Sequence, residues 1–307
     1  MLQTLPMRWT AVERRAFLAL LAGATGIGCA PILVRWSEVG PSATAFYRIL
    51  LALPLLWLWM GGTPTQGPVT RRPQTRSDYC RLAATGFFFA GDLAFWHWSL
   101  QFTAVANSTL LLNCAPLLVT LGARLVLAEK VPLSLILGMV MAVTGGGFLV
   151  GNSWQLAASH VLGDLLGLAT AVFYAAYLLM VKQLRRSFST ASIMSWSGLV
   201  SCPILLVVAL LSGESVLVVT IAGWLVLAAL ALVSHIGGQG FIAYALAHLP
   251  ASFSSVSLLL QPVVAAALAW LLLHESLSAL QIAGGIVILA GIAVSSRKDN
   301  TGWSGWK

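Results

Sequence analysis

Few side chains within the most apolar parts of this sequence are able to move protons. Asp92 is the only carboxylate near the middle of an apolar run, and His97 follows it five residues later. His235 lies at a comparable depth in a run of the second half of the chain. Carboxylates and imidazoles exchange protons near neutral pH when their surroundings shift their pKa values into that range. Proton transfer at Asp92 is therefore one hypothesis, and a functional pair of Asp92 with His235 is another.

The position of Asp92 restricts what this residue does. If its run lies in a lipid bilayer, an ionised aspartate near the centre costs about 2.5 to 3.5 kcal/mol. We therefore expect Asp92 to face a cavity, to be paired, or to be neutral. The alternative to proton coupling is a protonated or hydrogen-bonded packing residue.

Other polar and aromatic side chains interrupt the apolar runs and are candidates for binding a small molecule. Tyr174 and Tyr177, at positions i and i+3, share a helical face away from the bilayer surfaces. An aromatic, nearly uncharged cavity suits neutral amphipathic solutes such as hydrophobic amino acids. Tryptophans near run ends serve alternatively as interface anchors. The candidates are Trp96, Trp98, Asn113, Tyr174, Tyr177, His235, Gln239 and Gln261.

Arg48 lies about one turn inside the end of its run. Its long stem allows the guanidinium to reach the interface, which we favour over the alternative that Arg48 binds a carboxylate. Glu129 and Glu275 each close an apolar run and are either solvated end residues or gate partners.

The sequence lacks the motifs that mark several kinds of chemistry. We find no Asp-rich metal-binding cluster, no His/Cys ligand spacing and no nucleotide-binding loop. We therefore predict no metal, no cofactor and no enzymatic activity. A channel would be marked by charged rings or a filter loop, and neither is found. The missing nucleotide loop favours a secondary carrier over an ATP-driven pump.

The composition shows where these residues must be held. The chain has 307 residues, of which 59% are hydrophobic and 8% charged. Soluble domains contain about 25% charged residues, so this chain belongs in a bilayer. Since a spanning helix needs about 20 apolar residues, the sequence predicts an all-α membrane protein with ten transmembrane helices, near residues 16–36, 43–61, 79–101, 106–127, 132–151, 163–184, 190–211, 222–246, 252–273 and 279–296.

The net charge of +8 reflects topology and not a nucleic-acid surface. Fifteen of the seventeen basic residues fall before, between or after alternate runs on one side, and Arg35 and Arg48 are the exceptions. By the positive-inside rule both termini are cytoplasmic.

The sequence contains an internal repeat of two related halves. A shift of 146 residues places Pro116 on Pro262 and Glu129 on Glu275. The match continues into the next run, where Gly138 falls on Gly284 and Gly145 on Gly291. Five runs per half is an odd number, so the second half enters the membrane in the opposite direction and the repeat is inverted. We predict a first repeat at 1–151, a second at 152–298, and a short polar tail at 299–307.

Inverted repeats are the usual architecture of secondary transporters that work by alternating access. Pro116 and Pro262 each deprive a carbonyl four residues earlier of its helical partner. Both positions are therefore either hinges lined by substrate contacts or static kinks.

Three stretches resemble the drug/metabolite transporter superfamily, EamA type. These are "FYRILLALP" at Phe46 to Pro54, "ALAHLPAS" at Ala245 to Ser252, and the run from Pro262 through Glu275 to Gly291. The likeness covers about residues 16 to 296, and a narrower likeness is to bacterial aromatic amino acid exporters within that superfamily. The first half departs from the pattern, because "SLQFTAVANS" at Ser99 to Ser108 lacks a proline matching Pro250.

The resemblance implies ten spans, two inverted repeats and export of small metabolites across a bacterial inner membrane. The expected partners are a small-molecule substrate and the lipid bilayer, with no nucleic acid, and the chain is either a monomer or a homodimer. A proton-coupled exporter of drugs or organic cations is the main alternative.

Overall fold

The computed structural model describes residues 9–63, 71–103, 105–150 and 161–297, and this part of the chain is helical without any strand. The tail predicted at 299–307 and the predicted boundary at residues 151 and 152 lie outside the described residues. The π-helix Leu230–Gln239 joins the α-helix Ile221–Ala229 to the α-helix Gly240–Leu246. The α-helices are α1 (Ala11–Gly28), α2 (Ala30–Trp36), α3 (Pro41–Gly62), α4 (Arg76–Phe102), α5 (Val105–Leu112), α6 (Ala115–Val126), α7 (Leu133–Val150), α8 (Val161–Leu184), α9 (Thr190–Leu211), α10 (Ile221–Ala229), α11 (Gly240–Leu246), α12 (Ala251–Ser257), α13 (Leu260–Leu273) and α14 (Ala279–Ser295).

The protein is an all-helical membrane protein. Within the described residues, eight helical stretches are long and apolar enough to cross a bilayer, and α14 is a shorter apolar helix of 17 residues. The predicted third run coincides with α4, which has 27 residues but is less apolar than the others. Asp92 and His97 lie within it, so the side chains that suggest chemistry are also those that lower its hydropathy.

Side-chain caps define several helix starts. The side chains of Thr10, Thr75 and Ser278 each accept a hydrogen bond from the backbone N–H three residues later. The side chain of that later residue in turn accepts a hydrogen bond from the backbone N–H of the cap residue. Such a capping box satisfies two of the amide groups that a helix start leaves unpaired. The starts of α1, α4 and α14 are therefore encoded locally.

The helices α7 and α14 run antiparallel in very close contact. A Cβ atom on Gly138 would lie 2.4 Å from the carbonyl oxygen of Gly291, and one on Gly145 would lie 2.7 Å from that of Gly284. Only glycine allows this backbone approach, as small residues do at helix contacts within membranes.

The repeated prolines lie just after helix interruptions. Asn113 and Cys114 separate α5 from α6, where Pro116 is the second residue, and Leu258 and Leu259 separate α12 from α13. Pro262 is the third residue of α13, and the Leu258 carbonyl instead accepts from the Gln261 amide at 3.0 Å. The chain therefore bends ahead of both prolines, and one freed carbonyl finds another partner.

Candidate functional site

Side chains from both halves of the chain meet around the ring of Phe89 on α4. The Arg48 guanidinium carbon on α3 lies 5.6 Å from the centre of that ring. The ring of Tyr177 on α8 is 4.8 Å away, and the ring of His235 on the π-helix is 5.6 Å away. We call Arg48, Phe89, Asp92, Tyr177 and His235 the polar cluster.

Arg48 lies in the interior, so the expectation that it reaches the interface is wrong. Its side chain is 6% exposed. The surrounding aromatic rings hold the guanidinium inside the bundle, because an arginine face stacks favourably on aromatic rings. The sequence analysis did not single out Phe89, since a phenylalanine in an apolar run carries no distinguishing signal.

Asp92 lies one turn beyond Phe89 on α4 and is 8% exposed. Its charge interacts with that of Arg48. No hydrogen bond or ion pair joins the two side chains, nor does one join Asp92 to His235, in the described part of the chain. The predicted pairing of Asp92 with His235 is therefore not formed in this structure.

Three buried polar atoms of the polar cluster have no hydrogen-bond partner in the described residues: Arg48 Nε and both ring nitrogens of His235. An unpartnered buried donor costs roughly 1–3 kcal/mol, so native proteins rarely keep several of them together. These atoms point to a site that is completed by a polar molecule. Unpartnered atoms of predicted residues elsewhere are His97 Nδ1, Trp96 Nε1 and Asn113 Nδ2.

The two tyrosines of α8 extend the polar cluster. The Tyr177 hydroxyl is 3.4 Å from Gln239 Oε1, and Gln261 Nε2 is 3.5 Å from the Tyr174 hydroxyl. Both distances exceed the usual range for such bonds, so these groups are loosely held. The structure thus brings together four predicted binding residues from α8, the π-helix and α13.

The remaining predicted residues lie apart from these contacts. The Trp98 indole donates to the Ser212 hydroxyl at 3.0 Å, beyond the end of α9. Asn113 lies beside Gly146 of α7. Trp96 contacts the neighbouring His97, with ring centres 5.1 Å apart.

The π-helix positions His235 and Gln239, and the sequence analysis missed it. A π-helix closes its hydrogen bonds over five residues instead of four, and such segments occur frequently at functional sites. The Ser234 hydroxyl donates to the Gly26 carbonyl at 2.8 Å and ties this segment to α1. The glycine pair Gly237 and Gly238 is the one local signal that points to irregular geometry here.

The two repeated glutamates have contrasting surroundings. Glu129 is 1% exposed and accepts hydrogen bonds from the amides of Ala251 and Ser252 at 2.8 and 3.1 Å and from the Ser252 hydroxyl at 2.7 Å. The charge of the buried Lys182 interacts with Glu129, and the ammonium donates to the Leu249 carbonyl at 2.7 Å. Glu129 is therefore not a solvated end residue.

Glu275 is the counterpart of Glu129 in the second repeat and forms a salt bridge with Arg35. The two side chains of this pair are 62% and 47% exposed. The adjoining helix α13 has no buried residue, whereas its counterpart α6 has five. The chain is therefore tightly packed at the Glu129 end and loosely packed at the Glu275 end.

The long apolar helices define a multi-pass membrane protein. The model of the EamA-like transporter family matches residues 14–151 and again residues 161–297. The chain belongs to this family.

Curated relatives cover nearly the whole chain. The pseudopaline exporters CntI of Pseudomonas aeruginosa strains UCBPP-PA14 and PAO1 are each 26% identical over 283 residues, which is 92% of this chain and 95% of the relative. An uncharacterized transporter of Archaeoglobus fulgidus is 24% identical over 275 residues, or 88% of this chain and 92% of the relative. These names give no support to the narrower likeness to aromatic amino acid exporters.

A solved crystal structure shares the fold. It aligns with a TM-score of 0.75 at 18% identity and covers 94% of this chain and 98% of its own chain. At that identity the likeness concerns the fold alone.

Proposed function

We propose that this protein is a secondary transporter that exports small metabolites, amino acids being the leading class, by alternating access between two inverted five-helix repeats. The observation that carries the proposal is the buried polar cluster, which takes residues from both halves and keeps several polar atoms unpartnered. Secondary transporters bind substrate at such a place, near the bilayer midplane between repeats.

The contact of α7 with α14 supports the inverted arrangement. The 146-residue shift turns Gly138 into Gly284 and Gly145 into Gly291. In the structure Gly138 meets Gly291 and Gly145 meets Gly284, so each glycine contacts the counterpart of the other. A twofold axis produces this reciprocal pattern. Because the two helices are antiparallel, the axis lies perpendicular to them, which in a bilayer places it in the membrane plane.

The ends of α6 and α13 repeat in the same way. Ala128 and His274 are 146 residues apart, and each adopts the left-handed conformation with φ of 55°. The following glutamate amides, Glu129 and Glu275, donate to the equivalent carbonyls of Ala123 and Ala269 at 3.0 and 3.3 Å. Non-glycine residues rarely take this conformation because it costs about 1–2 kcal/mol. Its presence at both positions supports a shared structural origin for the two halves.

Alternating access gives a reason for the unequal ends. When two repeats exchange conformations, one gate is closed while its counterpart is open. The buried Glu129 contacts fit a closed gate, and the exposed Arg35–Glu275 pair fits an open one. Since most basic residues lie on the Glu129 side, the positive-inside rule places the closed gate and both termini at the cytoplasmic face. A bacterial inner-membrane location accompanies this orientation.

Amino acids suit the polar cluster better than organic cations do. The one central carboxylate, Asp92, shares its site with the buried cation Arg48. Arg48 repels a second cation, and it does so more strongly in a low-dielectric interior than in water. The pseudopaline exporters among the relatives support metabolite export in general.

Counterflow in proteoliposomes of the purified protein tests the proposal. Vesicles are loaded with unlabelled phenylalanine or threonine, or with a quaternary ammonium dye, and uptake of the labelled solute is measured with and without a pH gradient. We expect saturable amino acid counterflow. Dye counterflow alone would instead support an organic cation exporter, and non-saturable flux would indicate a channel. Dependence on the gradient would support proton coupling at Asp92.

A further inference from the structure

The buried charged side chains of this protein divide into two groups. The first group forms hydrogen bonds: Asp78 with Arg71, Glu129 with Ser252, and Lys182 with the Leu249 carbonyl. Arg48 and Asp92 are also buried, yet neither forms a hydrogen bond or an ion pair in the part of the chain that the structure describes. They are an acidic and a basic group within one site, and neither has a partner there.

Opposite charges in a low-dielectric interior attract strongly, and a buried pair of them normally forms direct contacts. Arg48 and Asp92 instead lie on different helices, α3 and α4, and no hydrogen bond or ion pair joins them in the described residues. The Arg48 guanidinium also lies against the Phe89 ring. This separation leaves both charges available to a third molecule.

We propose that Arg48 and Asp92 bind the two charged ends of a zwitterionic α-amino acid, Arg48 taking the carboxylate and Asp92 the ammonium. This inference rests on the proposed transport function and names the substrate class of that same site. The planar guanidinium matches a carboxylate with two parallel hydrogen bonds. An ionised carboxylate is a hydrogen-bond acceptor only, which suits an ammonium group, because that group can only donate.

The proposal accounts for charge as well as hydrogen bonding. When Asp92 is ionised beside a bound ammonium group, the side chains of Arg48 and Asp92 together carry no net charge, and neither does a zwitterion, so the occupied site is neutral. A solute with only an ammonium group faces Arg48 without compensation, and one with only a carboxylate faces Asp92. The rings of Phe89, Tyr177 and His235 supply an aromatic wall for the remainder of the amino acid.

Matched solutes test the proposal in the counterflow assay. Phenylalanine, phenethylamine and 3-phenylpropionate share one ring, but the second lacks the carboxylate and the third lacks the ammonium group. With labelled phenylalanine in wild-type vesicles, we expect the intact amino acid to compete better than either analogue by roughly tenfold or more, since each lost charged hydrogen bond weakens binding by about that factor. A panel of other labelled amino acids, each with its amine and acid analogues, is used if phenylalanine is not the preferred substrate.

Removing the charge of Arg48 or of Asp92 should change the preference for the amino acid over its analogues in opposite ways. We expect Arg48→Gln to abolish the preference for the amino acid over the amine while keeping the preference over the acid. Asp92→Asn should do the reverse. Arg48→Lys and Asp92→Glu keep each charge and should retain part of the preference, and Arg76→Gln at the exposed start of α4 is the matched charge-removal control. Each variant is compared only if it elutes as a monodisperse species at the wild-type position.

The possible outcomes separate this proposal from the proposed function. If amino acid counterflow is present but both variants change competition by all three solutes equally, Arg48 and Asp92 have a structural role and the inference is overturned. Counterflow of some other solute without amino acid counterflow would also overturn it, leaving the transporter assignment intact. The absence of saturable counterflow for every solute would contradict the proposed function itself.

Discussion

Replacing Glu129 by glutamine should weaken the packing at its end of the molecule far more than the same change at its counterpart, Glu275. Under the proposed mechanism the Glu129 end is the closed gate. Glu129 accepts three hydrogen bonds, at 2.8, 3.1 and 2.7 Å, from Ala251 and Ser252. Two of the three bonds reach Oε2, so a glutamine with its oxygen at that position keeps both Ser252 bonds and turns its NH₂ group toward the Ala251 amide. Glu129→Gln therefore loses the charge and one bond, while Glu275→Gln loses one exposed salt bridge.

The contacts set the size of the expected difference. A hydrogen bond to a charged group contributes about 1.5–3 kcal/mol and one between neutral groups about 0.5–1.5 kcal/mol, so losing one bond and the charge on the other two removes roughly 3 kcal/mol of stabilisation from the Glu129 end. That corresponds to about a hundredfold change in the ratio of open to closed molecules. An exposed ion pair contributes about 0–1 kcal/mol, which limits Glu275→Gln to about fivefold.

Cysteine alkylation measures the opening. Ser254 on α12 is fully buried and its hydroxyl has no partner, so Ser254→Cys introduces a reporter with little change in packing. The four native cysteines are replaced by serine, and labelling by a membrane-impermeant maleimide is followed in inside-out vesicles. We expect Glu129→Gln to raise the labelling rate by up to about a hundredfold, as the open population rises. The reasoning would be refuted if Glu129→Gln left the rate unchanged or acted no more strongly than Glu275→Gln.

Two further predictions concern stability. Gly284→Ala should lower the thermal midpoint by several degrees, because its Cβ would lie 2.6 Å from the backbone of α7 and overpacking costs about 1–3 kcal/mol. Gly285→Ala on the same helix meets only a side chain at 3.6 Å and should leave the midpoint unchanged or slightly raised, so equal losses in the two variants would contradict the glycine contact. Hydrogen bonds from Arg71 hold the pKa of Asp78 well below the unfolded value of about 3.9. This stabilisation is present above that value and is lost as the pH falls toward the folded pKa, so Asp78→Asn should flatten the acid loss of thermal stability between about pH 5 and 3; an unaltered slope would assign the acid sensitivity to other groups.

Sequence patterns predicted the helices well, because bilayer thickness leaves few choices. The run predicted at 190–211 coincides with α9, and the other apolar runs are helical within a few residues of their expected ends. A bilayer requires internal backbone hydrogen bonding, so an apolar run of sufficient length is necessarily helical. The helix interruptions near Pro116 and Pro262 were predictable for the same reason, since a proline removes a backbone donor.

The site was less predictable, because it depends on contacts between helices. The interior position of Arg48 sets its guanidinium over the Phe89 ring of α4, a contact between helices that no local pattern reveals. The π-helix around His235 leaves the apolar character of its run unaltered, so periodicity gave no warning of it.

The contrast between Glu129 and Glu275 has a different origin. Their local sequences match and their backbones end alike, yet one carboxylate is buried and the other exposed. The repeated sequence therefore does not determine which of the two carboxylates is buried.

Distances across both ends, measured in one sample, test alternating access most directly. Spin labels at Ser37 and Ser276 report the Glu275 end, and labels at their repeat counterparts Gln183 and Lys130 report the Glu129 end. Pulsed electron resonance in lipid nanodiscs, with and without saturating amino acid, gives the distance distribution of each pair. The account predicts that one distribution lengthens as the other shortens, and that Glu129→Gln alone lengthens the Gln183–Lys130 distance. Simultaneous lengthening of both pairs, or saturable counterflow with neither pair changing, would contradict it.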